Sequence, residues 1–479
     1  MDLIGNQDLD LLEQLLAEEG IDREGGFNIP KREDHCKGLL SYQQKRLWFL
    51  DQLEPESSAF NISVARLLEG QLNVPALKKA IKNIIQRHET LRTRLDDVQG
   101  EPMQFIDTEV NLDWYFDDIS EESIEKQSES LILQIQEFSN KPFDLKMGNL
   151  IRVKCIKFAD SKHVVVFVIH HIVCDGWSIG VFARELQSLY SSFVNGESNS
   201  LEPLPIQYAD YAAWQFEELS DDILKSQLRY WKKQLAGLPT LQLPTDRPRR
   251  ELPSMIRSGR ESLQISGDTF KELCNLANKE GATPFMVMLA SFQVLLSRYA
   301  RQDDIVVGSA MANRNHSDIE ELIGFFVNML VFRTDLSHCG TFRDVIRLVK
   351  STALETFEHQ DLPFEMLVDE INPERHRNQH PIFQVSFVYQ NMQAEELTLP
   401  GLSVSRMGED ESARFDLELF LYDEGDGLVG TMVYDKALFD QETVIALNRH
   451  FVNLTSSLAE APDKNLTDIG TLTPSEQDA

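Results

Sequence analysis

The sequence predicts a mixed α/β protein built as two comparable lobes, with any site in the cleft between them. Three observations carry that reading. Helical and strand patterns alternate from Leu39 to about Phe216, a proline-rich strap follows at 237–255, and a second mixed region runs beyond it. The 479 residues exceed one small module and suit two large units.

Taken in order, residues 7–21 place Leu9, Leu12 and Leu16 on one face of an amphipathic helix. GIDREGGFNIPKREDHCKG, rich in Gly, Pro and charge, then reads as a linker. Residues 1–36 are therefore expected to form a linker or docking helix. Residues 37–216 and 217–465 are expected to form the two lobes, with 466–479 starting a linker to a downstream domain. Residues 75–91 read as a helix with Pro75 in its first turn, and Phe60, Ile62 and Val64 alternate as in a half-buried strand. HVVVFVIHH at 163–171 is an unbroken β-branched and apolar run, the pattern of a strand buried on both faces. A turn, CDGW, follows it, and a helix is expected to start with Ser178 as its N-cap. The strap GLPTLQLPTDRPRRELPSM excludes regular structure through its prolines. Beyond it a helix is expected at 284–299, strands at 304–310 and 381–389, and a strand pair in DLELFLYD and GLVGTMVYD around an EGDG turn.

Composition narrows the function. Hydrophobic residues make up 42% and charged residues 26%, the balance of a folded globular chain. Lys+Arg 46 against Asp+Glu 77 leaves a net charge of −31, which repels phosphate backbones and anionic lipid, so neither nucleic acid nor a membrane surface is an expected partner. The five cysteines are scattered without a Cys-x-x-Cys pair, which supports neither a disulfide framework nor a zinc site. The acidic N-terminus lacks the features of a signal peptide, and no apolar run reaches about 18 residues. A cytoplasmic protein is expected.

Chemistry concentrates in HHIVCDG at 170–176, where two histidines end a buried strand and an Asp-Gly turn opens a helix. Imidazole can exchange a proton near neutrality, and helix-start N–H groups can stabilise an oxyanion. In a strand His170 and His171 point to opposite faces, so only one can face the cleft. A histidine pair alone is more often packing than a site. No metal-ligand spacing, G-x-S-x-G elbow, P-loop or dinucleotide fingerprint accompanies it.

HHIVCDGWS resembles the HHxxxDG motif of the condensation domains of nonribosomal peptide synthetases, shared more loosely with chloramphenicol acetyltransferase and other CoA-dependent acyltransferases. SYQQKRLWFLDQLEP, RHETLRTRL, YADYAAW, IGFFVNMLVFRT and HQDLPFE resemble that family's other motifs, in the family's order. The resemblance implies a V-shaped pair of acetyltransferase-like lobes with a tunnel at their junction. It also implies peptide-bond formation: the amine of an acceptor aminoacyl-carrier attacks a donor acyl- or peptidyl-carrier thioester. The implied partners are an upstream donor carrier, a downstream acceptor carrier and an adjacent adenylation domain. No cofactor or metal of its own is implied beyond the phosphopantetheine arms of the carriers, and a monomer is expected. By the same resemblance His171 is the base or positioning group, Gly176 approaches the reacting carbonyl, Asp175 holds the loop with Arg92 as counter-ion, and His170 packs. Arg46, Trp177 and Asn328 support the site, Phe325 and Phe326 line or brace the junction, and Trp48, Tyr208 and Trp214 pack the lobes. The flanking motifs are most like domains joining an L-configured donor to an L-configured acceptor. A silent carrier-docking platform, a stand-alone acyltransferase and an epimerisation relative are the alternatives.

Overall fold

The computed structural model describes residues 29–198, 201–219, 221–249, 258–371, 380–390, 397–407, 413–425, 427–472 and 476. The helix expected at 7–21, residues 250–257 of the strap and most of 473–479 lie outside the described residues.

In the first half, β1 (Lys37–Leu39) leads into α1 (Tyr42–Leu53), which starts with a capping box: Ser41 Oγ accepts from the Gln44 N–H, and the Gln44 side chain reaches back to the Ser41 N–H. After β2 (Asn61–Gly70), α2 (Val74–Arg87) is capped by Asn73 and carries Pro75 in its first turn. Leu77, Ile81, Ile84 and Ile85 repeat at helical spacing and bury one face. The expected helix ends at Arg87 and gives way to a tighter turn over Glu89–Arg92. Then follow β3 (Thr93–Val98), β4 (Glu101–Ile106), β5 (Asp113–Asp118), α3 (Ile124–Asn140), β6 (Ile151–Ala159), β7 (Lys162–His170), α4 (Gly176–Val194) and α5 (Tyr208–Glu218). β7 lies between β2 and β6, antiparallel to both, and is buried from His163 to His170, as its apolar run predicts.

The second half runs through α6 (Asp221–Gln234), β8 (Ser258–Ser266), α7 (Gly267–Glu280), α8 (Pro284–Ala300), β9 (Asp304–Met311), α9 (Ser317–Glu320) and β10 (Asn328–Asp335). It continues with α10 (Phe342–Glu358), α11 (Phe364–Ile371), β11 (Val385–Gln390), β12 (Leu402–Arg406), β13 (Leu417–Asp423), β14 (Gly427–Asp435) and α12 (Gln441–Glu460). Six of its strands form one sheet in the order β10-β9-β11-β13-β14-β8. α8, buried from Phe285 to Leu296, is the middle of its core. The strap at 237–249 is pinned to this half, with Leu241 donating to Gln384 Oε1 at 3.1 Å and Arg249 paired with Asp416.

Two features join the halves. β12 leaves the second half and pairs antiparallel with β2, so the first sheet has the order β12-β2-β7-β6-β5. The approach is close: Gly70, at φ +131°, has no room for a Cβ against the Gly401 carbonyl. The second-half sheet also turns alternate side chains each way. Leu417, Leu419 and Leu421 of β13 enter its own core, whereas Phe420 joins Val388 and Val433 in the apolar cluster of the first half.

Candidate active site

The two histidines separate because the chain turns between them. His170 ends β7, and His171 opens a single tight helical turn over His171–Val173. That turn is held by the His171 N–H donating to Phe60 O at 2.8 Å, by the Ile172 N–H donating to His170 Nδ1 at 3.1 Å, and by Gln44 Nε2 donating to Ile172 O at 3.0 Å. The His170 ring lies among Phe60 and Phe143, with centroids 6.2 and 6.0 Å away. Burial first, then the positive charges it would face at His171 and Arg152, push its pKa down to about 3. His170 is a packed, neutral acceptor.

His171 faces the other half of the molecule. Its ring meets Phe325 edge to face at 4.9 Å and 72°. Burial, and then the charge of Arg414, hold its imidazole well below the ordinary range; Asp175 and the carbonyls of His171 and Cys174 pull the other way. Nδ1 is buried without a hydrogen-bond partner, although the residue as a whole is 8% exposed. At neutral pH the ring is therefore uncharged and can accept a proton.

The expected N-cap at Ser178 is corrected. Asp175 caps α4, accepting from the Ser178 N–H at 2.8 Å, so the helix begins at Gly176. The same carboxylate oxygen accepts from Ser178 Oγ at 2.7 Å, and the second accepts from the Phe326 N–H at 3.0 Å. The expected counter-ion is corrected too. Arg92 donates to the Asp107 carbonyl and lies 3.8 Å from Glu89. Asp175 is instead paired at 3.3 Å with Arg314, which follows β9. Arg314 also donates to Ser178 Oγ and Leu322 O, each at 2.8 Å, and lies over the Phe326 ring at 4.1 Å. The sequence carried one signal for it, an Arg four residues after the strand expected at 304–310.

Other motif residues bind this loop to the second half. Tyr208 Oη donates to Phe325 O at 2.6 Å and lies 2.8 Å from Ser41 Oγ. A Cβ on Gly324 would collide with the Tyr208 ring, which explains a glycine there. Ser178 Oγ accepts from the Gly324 N–H at 3.0 Å. Trp177 Nε1 donates to Glu320 O at 2.8 Å. Asn328 stands further off: Nδ2 donates to Gln360 O and Leu362 O at 2.8 and 2.9 Å, and Oδ1 accepts from the Phe364 N–H at 3.0 Å, which fixes the HQDLPFE turn. Arg46 of α1 reaches the same turn through Glu365 at 2.9 Å. Trp48 packs half-buried on the first-half cluster, and Trp214 lies beside Tyr211 at 6.1 Å. Gln44, Ser178 and Arg314 thus belong to the assembly although the spacing of the sequence did not single them out as site residues.

Among the described residues no group of three His, Cys, Asp or Glu side chains is placed to hold a metal, and no helix is long and apolar enough to cross a membrane. The chain is 42% identical over 453 residues to one of the proteins that make up linear gramicidin synthase in Brevibacillus parabrevis, covering 93% of this chain and 9% of that protein. It is 41% identical over 422 residues to malpibaldin synthetase of Mortierella alpina, covering 87% of this chain and 8% of that one. The chain thus spans under a tenth of the length of either relative. Among solved structures, the X-domain from teicoplanin biosynthesis, in complex with OxyB, matches with a TM-score of 0.82 and 28% identity over 94% of this chain and all of that one. Residues 37–479 match the condensation domain family, and the chain belongs to it.

Proposed function

We propose that this chain forms an amide bond between two carrier-tethered groups. The amine of an acceptor aminoacyl thioester attacks the donor thioester carbonyl, the C–S bond breaks, and the amine's proton passes through the site to the departing thiolate. The reading is supported above all by the placement of His171: a neutral imidazole at the end of a buried strand, fixed at its backbone and facing the opposite half across Phe325. An α-ammonium has a pKa of about 8, so only a modest shift yields the free amine near neutrality, and an imidazole held well below its ordinary range contributes chiefly by positioning that amine. Nε2 is the nitrogen assigned to the amine, because Nδ1 is sealed. Gly176, first residue of α4, offers its N–H at a helix start to the developing oxyanion. Asp175 and Arg314 hold the loop and stay out of the chemical step.

The partners in this reading are an upstream donor carrier, a downstream acceptor carrier and an adjacent adenylation domain, with L-configured groups on both arms. Residues 37–216 and 217–465 supply the two lobes around the phosphopantetheine arms. The test loads two carrier proteins with donor and acceptor thioesters, adds the chain or its His171→Ala variant, and follows the dipeptidyl-carrier by intact mass. Loss of product by about a hundredfold or more in a folded His171→Ala variant is expected. Equal product from the two would overturn the assignment. A second reading has a specific source: the teicoplanin X-domain is solved in complex with OxyB, which favours a recruiting role for this fold. An intact wild-type chain that binds loaded carriers and yields no dipeptide would select it.

A further inference from the structure

The stretch before the body reads as a linker, yet part of it is built into the support of the site. Ile29 is 3% exposed and packs with Ile206, Tyr208, Tyr211 and Phe326. Three residues on, the Arg32 side chain is 8% exposed and every guanidinium nitrogen is engaged. Nη1 and the backbone N–H both donate to Asp210 Oδ1, at 2.7 and 3.1 Å, and Nη2 donates to Glu89 and to His35 O. Asp210 spends its other oxygen on the Gln207 N–H at 2.8 Å, the cap of α5. Gln207 in turn takes the Glu89 N–H at 3.0 Å and donates to Arg87 O at 3.1 Å. One cation therefore fastens the start of α5 to the turn that follows α2.

The start of α5 carries Tyr208, whose hydroxyl fixes the Phe325 carbonyl, and the Phe325 ring lies against His171. The Tyr208 and Tyr211 rings also hold Phe326, whose N–H is bonded to Asp175. Without Arg32, the buried Asp210 would lose the cation it is paired with and Glu89 would keep only Arg92 at 3.8 Å, and the end of α5 that sets Phe325 would have to move to relieve the stranded charge.

We propose that Arg32 is a positioning residue for condensation: it acts through Asp210, Tyr208 and Phe325 to hold the His171 ring, and the segment Ile29–Arg32 is a clamp on the site. This rests on the function proposed above. A solvated linker would have no reason to place a cation among two carboxylates and an isoleucine among three aromatic rings.

The test uses the full chain with donor- and acceptor-loaded carriers at saturating and sub-saturating concentrations. Its variants are Arg32→Ala, Arg32→Lys and, as a control in the same segment, the exposed Lys31→Ala. Histidine labelled with 13C reports the His171 ring by NMR, its signal identified by loss in His171→Ala. Arg32→Ala is expected to lower the saturating rate by about ten- to hundredfold with little change in the carrier concentration giving half rate, and to displace the His171 signal. Arg32→Lys, which keeps the charge but not the fork, is expected to recover part of the rate and of the signal position. Lys31→Ala is expected to match wild type in both. If Arg32→Ala does not fold, Arg32→Lys carries the test by itself. A wild-type saturating rate in the folded Arg32 variants, or a slowed rate with the His171 signal unmoved, overturns the clamp. A wild-type chain that makes no dipeptide instead overturns the proposed function, and the clamp with it.

Discussion

Asp175 and Arg314 lie 139 residues apart in the chain and meet at 3.3 Å, with side chains 0% and 1% exposed. Attraction between two charges taken out of water does not by itself repay their desolvation. Here most of the remaining bonding capacity is used as well: Asp175 accepts from Ser178 and Phe326, and Arg314 donates through both terminal nitrogens to Ser178 and to carbonyls of the 319–322 turn, while its Nε is buried without a partner.

Arg314→Ala is therefore expected to destabilise the fold by about 3–5 kcal/mol, since it strands a buried carboxylate. Asp175→Asn keeps an acceptor for the helix cap and should lose less than Arg314→Ala. Urea unfolding of the three proteins checks both. An Arg314→Ala midpoint equal to wild type would mean that Asp175 has found a second cation.

This pair also marks the limit of what the sequence disclosed. β7, the histidine turn and the helix after it are local patterns, visible in the apolar run and the Asp-Gly that ends it. The resemblance points to Arg92 of RHETLRT as the charge a buried carboxylate needs, but sequence spacing carries no information about which of two cations a fold brings to a buried acid. The strand β12 was hidden for a similar reason: LSVSR pairs with β2 of the other half, and nothing in five short residues states which sheet they join. Ile29 and Arg32 sit in a stretch whose overall polarity is that of a linker, and contacts with distant residues, Tyr208 and Phe326 for Ile29 and Asp210 and Glu89 for Arg32, make it part of the body.

The Arg46–Glu365 pair should behave in the opposite way from Asp175–Arg314. It also joins the two halves, at 2.9 Å, but its side chains are 38% and 23% exposed. Water screens the attraction and competes for both ends, so Arg46→Ala is expected to change stability by less than about 1 kcal/mol. Thermal unfolding at low and high salt checks this. A loss as large as that of Arg314→Ala would show that Arg46 is held by more than its carboxylate, its position 5.8 Å over the Phe364 ring being the first place to look.

Asn328 tests how far the HQDLPFE turn depends on one amide. Its two N–H groups answer two carbonyls, and its oxygen answers the Phe364 N–H. Asn328→Asp, nearly the same in shape, turns the donor into an acceptor facing Gln360 O and Leu362 O. A loss of about 2–4 kcal/mol is expected, from two buried acceptors left without donors. Asn328→Ala removes the clash along with the bonds and should lose less. Equal unfolding free energies for Asn328→Asp and wild type would place the amide outside this role.

Acid sensitivity follows from the buried imidazoles, and its sign can be worked out. In the unfolded chain a histidine titrates near about 6.5, whereas burial holds folded His170 at about 3. Between those values the unfolded chain binds a proton that the folded chain refuses, so stability is full above about pH 6.5 and falls as pH drops towards the folded value. Each such group contributes a slope of about 1.4 kcal/mol per pH unit, and His163, His171 and His380, all lowered first by burial, act in the same direction. Asp51, raised from its ordinary 3.8 to about 6 first by burial and then by Asp144, acts the other way between those two values, equally in wild type and in a His170 variant. His170→Asn keeps an oxygen where Nδ1 accepts the Ile172 N–H but removes the titrating ring. Unfolding free energies from urea titrations between about pH 6 and 5 should therefore fall less steeply in His170→Asn than in wild type, by about 1.4 kcal/mol per pH unit. Parallel lines would mean that His170 takes up its proton in the folded protein, against the aromatic packing that surrounds it.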